Sequence, residues 1–252
     1  MRIIWCIVLV LLLWGGEAIA LTLDQRLASF PDWDSKPSVE VAQGDLVYPE
    51  WMSGTWDVTS TLVDLVAPLA PDIQTPGFEG NRRYLNVPVN FQVRFTKNRL
   101  PTSSLKLIPQ LKVHGIIADR AFNGLNLARA YLGDRAVVAV KVDPDSPNRQ
   151  ITILQKDRQL VSIVTGRATQ TLNANKFITC EVFQQQFRGS GARPFFNQVE
   201  STTDYHYLPT SRSILADQIT AVYLSPQDPD YFTAGSRPVA LYRYRLEFSP
   251  QP

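Results

Sequence analysis

The sequence predicts an all-β domain: an antiparallel, up-and-down barrel of about eight to ten strands with one accessory α-helix. Three observations carry this. Apolar and polar residues alternate with a period of two in segment after segment. Proline- and glycine-rich turns separate many of those segments. The 252 residues include 18 prolines and nine tyrosines, and only one internal stretch repeats apolar residues at helical spacing.

The strands follow in order. Thr55–Val63 opens the series. Val89 to Phe95 places Val89, Phe91, Val93 and Phe95 on one face, with Asn90, Gln92 and Arg94 on the other. Similar runs occur at 136–142, 150–156, 160–165, 177–187, 198–207 and 214–224. The last run, 239–248, alternates Tyr242, Tyr244, Leu246 and Phe248 with Arg243, Arg245 and Glu247. Asp143–Asn148, Gly189-Ser190-Gly191 and Ser225–Pro229 supply turn chemistry between neighbours. Short connections imply antiparallel pairing, and clean alternation implies one wet and one dry face. The helix is expected over Asp119–Leu132, where Ala121, Leu125, Ala128 and Leu132 recur and Gly133 supplies a stop. It reads as a lid or plug beside the barrel.

Ahead of this domain, residues 1–20 read as a signal peptide. Arg2 is followed by an apolar run from Ile3 to Trp14, then Gly15-Gly16 and the small-x-small triplet Ala18-Ile19-Ala20. An uncleaved anchor is the alternative. Cleavage near Ala20 predicts an exported chain beginning at Leu21. Residues 21–45 read as a short amphipathic helix, ended by Pro31, and a polar linker; residues 46–252 form the single barrel domain. Loss of Cys6 with the leader leaves Cys180 alone, inside a strand-like run, and a buried thiol is expected there.

Composition narrows function mainly by exclusion. Charged residues are 19% and the net charge is +2, with no basic stripe of the kind nucleic acid requires. His114 and His206 stand apart from carboxylates and cysteines, so neither metal-ligand spacing nor a Ser/His/Asp set is visible. No catalytic residue, metal site or cofactor is predicted. Arg82 and Arg83 are candidates for contacting an anion, with ordinary solvated charges as the alternative. The apolar stretch Leu62–Pro71 reads as an inter-strand loop. It packs back on the domain, caps a cavity, meets a partner or touches a membrane.

Three local motifs resemble those of lipocalins. Gly54-Thr55-Trp56 is similar to their G-x-W, and Thr203-Asp204-Tyr205 to their T-D-Y. Arg243 or Arg245 is similar to the last-strand arginine that stacks on the tryptophan. The resemblance implies a calycin-like barrel closed at one end by Gly54, Trp56 and Arg243 or Arg245, and open at the other to a small apolar ligand. Trp56, Phe91, Val93, Phe95, Tyr205, Tyr242 and Tyr244 would line its interior. The same side chains could instead fill it. Over a longer span, Tyr48–Trp56, Pro76-Gly77-Phe78, Arg82-Arg83-Tyr84 and Tyr242-Arg243-Tyr244 resemble an exported family of cyanobacteria and chloroplasts with no assigned activity. That resemblance implies the thylakoid lumen or periplasm. Two roles fit: a carrier of a small hydrophobic molecule (a lipid, pigment or isoprenoid), or an assembly partner of a photosynthetic membrane complex through Leu62–Pro71.

Overall fold

A computed structural model describes residues 21–99, 114–189 and 193–251. The predicted signal peptide therefore lies outside the described residues, as do Ser190 and Gly191 of the glycine turn. All nine predicted strands are present. In chain order, the strands are β1 (Glu40–Val41), β2 (Val47–Tyr48), β3 (Gly54–Val66), β4 (Pro88–Arg99), β5 (His114–Ala118) and β6 (Val137–Asp143). They continue with β7 (Ser146–Leu154), β8 (Arg158–Asn173), β9 (Lys176–Arg188), β10 (Phe195–Leu208), β11 (Ser213–Leu224) and β12 (Ala240–Pro250). Strands β1 and β2 have two residues each, too short to show alternation in the sequence.

The architecture is an antiparallel sheet curled into a half-barrel. Its order is β2-β5-β4-β3-β12-β11-β10-β9-β8-β7-β6, with β1 pairing β8 off this path. Strands β6 to β12 form one continuous meander and β3 to β5 another. The two join where the last strand meets the first long one, with Phe248 opposite Val58 and Leu246 opposite Ser60.

Alternation gives this sheet two unlike faces. Trp56, Val58, Phe95, Phe177, Tyr205, Ala216, Leu246 and Phe248 pack together on the concave face. Ile178, Cys180, Ile219, Ala221, Tyr223 and Leu241 point the other way, under Leu23, Leu27 and Trp33 of the N-terminal segment. Helix α1 (Leu23–Ala28) begins with a capping box between Thr22 and Gln25. It carries Arg26 against the sheet, where Nε and Nη2 each lie 2.7 Å from an oxygen of Glu200. Tyr223 and Thr202 donate to the same carboxylate at 2.7 Å, and Trp33 stacks 3.9 Å from the guanidinium. Every charge in this buried cluster is thus paired, as burial requires. Cys180 is fully buried beside it, as its strand context predicts.

The Leu62–Pro71 loop is corrected by the structure. Leu62 to Val66 continue β3. Leu62 and Leu65 are buried against Phe78, Ala240 and Tyr242, and Leu69 packs beside Ile73 and Val239. The apolar composition reflects this packing. Two short helices follow in the chain, α2 (Phe78–Asn81) before β4 and, far later, α4 (Tyr231–Ala234) before β12.

Helix α3 (Arg120–Leu132) lies inside the curl, packed on β4 at one side and on β6 and β7 at the other. Asp119 caps it, accepting from the Phe122 N–H at 3.0 Å. Arg94 pairs with the Asp119 carboxylate at 2.6 Å. Asn123 clamps the Arg94 backbone through both amide atoms, at 2.7 and 3.2 Å. Gly124 allows the close approach to β6 and β7: a Cβ there would stand 2.7 Å from Gln150 Nε2 and 3.1 Å from Val140 Cγ1. Gly133 ends the helix with φ 86°, as its place in the sequence predicts.

Candidate ligand site: two chambers beneath one helix

The curl is wider than α3, so the helix divides its hollow instead of filling it. Leu127 and Tyr131 face both halves. The first chamber, about 430 Å³, lies between α3 and strands β3, β4 and β10–β12. Its apolar wall is Val58, Phe91, Val93, Phe95, Leu246 and Phe248, with Ser60, Asn123, Gln218 and Thr220 as scattered polar positions.

Among the described residues, no charged side chain lines this chamber. Four tyrosines do: Tyr48, Tyr131, Tyr205 and Tyr244. Burial holds Tyr48 well above the usual phenol range and pushes Tyr205 up to about 12. It raises Tyr131 and Tyr244 as well. All four therefore remain neutral around pH 7. Among the described residues, the result is an uncharged, largely apolar wall that carries phenol groups.

Five of the seven predicted lining residues meet here: Phe91, Val93, Phe95, Tyr205 and Tyr244. Trp56 does not line the chamber. It is buried below it, edge-on to Phe248 at 6.4 Å, with its indole N–H donating to Met52 O at 2.8 Å. Tyr242 lies farther along β12, against Phe78, and its hydroxyl accepts from Asn81 at 3.2 Å.

The predicted closure by arginine stacking is not formed. Trp56 and Phe248 lie on the concave face, and alternation along β12 sends Arg243 and Arg245 to the convex one. Arg243 pairs with Asp217 and stands 5.5 Å over Phe30. Arg245 pairs with Glu247 at 3.3 Å. Gly54 begins β3 with φ 121° and pairs with Phe95. Of the T-D-Y triplet, Thr203 and Tyr205 are buried, and Asp204 pairs with Lys176 at 3.0 Å. Arg82 is already bound by Glu79 of its own turn, at 2.9 and 3.1 Å. Arg83 lies 4.8 Å over the Tyr84 ring. The two arginines do not converge on either chamber's lining.

The second chamber, about 660 Å³, lies between α3 and strands β7–β10. Leu154, Leu160, Val164, Phe183 and Val199 supply its apolar surface. At its inner end Arg120 and Arg167 share Oε1 of Glu181, at 2.8 and 2.7 Å, and Arg167 also donates to Asn148 at 2.9 Å. Nothing in the sequence marks this chamber, because its wall combines one side of a helix with strands up to 79 residues away. Among the described residues, no cluster of three or more His, Cys, Asp or Glu side chains could hold a metal ion, and no helix is long and apolar enough to cross a membrane.

No curated protein and no solved structure matches the chain. One family model does, described as a domain of unknown function (DUF6816), over residues 40–252. That span takes in all twelve strands and both chambers, and the chain belongs to this family.

Proposed function

We propose that this chain is a non-enzymatic binding protein that holds a small, uncharged hydrophobic molecule in the chamber between α3 and β3, β4 and β10–β12. Lipid, pigment and isoprenoid groups are the ligand classes this wall suits. One observation carries the reading: among the described residues, the chamber's lining is aromatic and aliphatic, with neutral hydroxyl and amide groups and no charged side chain. A neutral ligand loses least on entering such a wall, whereas a charged one would lose its hydration without a partner. The same proposal includes an exported chain of the periplasm or thylakoid lumen, supported by the leader-like pattern of residues 1–20. Assembly of a membrane complex through Leu62–Pro71 has little support, because Leu62 and Leu65 are buried within the domain.

Native mass spectrometry of the mature chain, purified gently from its own compartment, tests the proposal. The expected result is a reproducible added mass of small-molecule size that is lost on denaturation. A bare chain mass in every preparation would contradict it.

A further inference from the structure

The second chamber differs from the first in one chemical respect: among the described residues, its lining includes Arg120, Arg158 and Arg188 and no carboxylate. Arg120 is committed at the inner end to Glu181. Arg158 stands at the outer end. It is the first residue of β8, two positions before Leu160 and four before Ser162, so alternation puts it on the chamber face. It also leans over the end of β9, where a Cβ at Gly189 would lie 3.3 Å from Arg158 Cγ. Its Nε donates to Gln155 O at 3.3 Å. Among the described residues, no carboxylate pairs with it.

The surroundings reinforce this polarity. Lys156, Arg188 and Arg193 occupy the same strand ends, with Asp157 as the acid between Lys156 and Arg158. Arg188, also in the lining, is hydrogen-bonded to Gln186. Phe187 and Phe195 meet at the mouth with ring centres 5.9 Å apart, each more than a third exposed. The chamber runs beside α3 from Arg120 to Leu132, a helical rise of about 18 Å.

We infer that the second chamber binds a single-chain amphiphile with an anionic head group, its tail along α3 and its head at Arg158. A long apolar tail suits Leu154, Leu160, Val164, Phe183 and Val199, and a carboxylate or phosphate head supplies the partner that Arg158 lacks. This site is separate from the neutral chamber and stands whether or not that chamber is occupied.

The test is a titration of the mature chain with a fluorescent long-chain carboxylate at low ionic strength. An alkyl phosphate and a neutral alcohol of equal chain length serve as competitors. The carboxylate is expected to bind saturably and be displaced by the phosphate far better than by the alcohol. If phosphate displaces more strongly than unlabelled carboxylate, a phospholipid-type head is indicated; the reverse order indicates a fatty-acid type. Arg158 is exposed, so Arg158→Glu keeps the fold, and the reversal is expected to weaken binding about tenfold. Ser162→Trp, which fills only this chamber, is expected to abolish it. Equal displacement by the alcohol, or carboxylate affinity unchanged in both variants, would overturn the assignment.

Discussion

The two faces of the sheet are built by the same alternation yet end as opposites. On the convex face, β9, β11 and β12 are sealed by the N-terminal segment, and the deeply buried charges there, Arg26 and Glu200, satisfy each other. On the concave face, the strands curl away from each other and a single helix cannot fill the space. The convex face is thus closed by packing, whereas the concave face, although it carries its own buried cluster, keeps hollow volume that a ligand can occupy. The helix adds a second difference within the concave face, between a neutral chamber and one with an arginine at its mouth.

The sharpest way to break this contrast is at Glu200. Replacing it with Ala leaves Arg26 buried without its counter-ion and takes an acceptor from Tyr223 and Thr202. Loss of one partner of a buried pair costs about 3–5 kcal/mol. Urea unfolding of Glu200→Ala should show a loss of that size. A loss below about 1 kcal/mol would mean the N-terminal segment does not lock the convex face.

A smaller effect should appear at high pH, and the part of it that Tyr205→Phe removes reads the concave face. Tyr205 has its folded pKa raised by burial from 10.0 to about 12. The unfolded chain ionises this phenol first, so unfolding releases a proton above pH 10. The stabilisation is complete below about pH 10 and falls as the pH rises to about 12. Urea midpoints measured across that interval should fall, and Tyr205→Phe should flatten the fall.

Much of this was legible in the sequence. Val89 to Phe95 gives the face of β4 correctly because alternation is a local property. Asp119 and Gly133 bound α3 because caps are local too. The same holds for Cys180, whose strand context predicts its burial. Other features depended on distant pairing. Arg26 and Glu200 are 174 residues apart, and nothing beside either names its partner. The G-x-W motif suggested an arginine stacked on Trp56. Alternation along β12 in fact already assigned Arg243 and Arg245 to the face opposite Phe248, but which face Trp56 shares is settled only by the β12–β3 register. Strand β5 is only five residues long, too short for alternation to mark it in the sequence. The two chambers depend on how far the sheet curls around α3, which no single segment encodes.

Ligand binding in the neutral chamber is tested most directly by titrating a neutral solvatochromic dye into the chain from Leu21 onward and into two variants of it. Thr220→Trp fills the neutral chamber, and Ser162→Trp fills the other. Saturable binding is expected for the parent chain, with loss in Thr220→Trp and retention in Ser162→Trp. Absence of saturable binding, or equal loss in both variants, would contradict it.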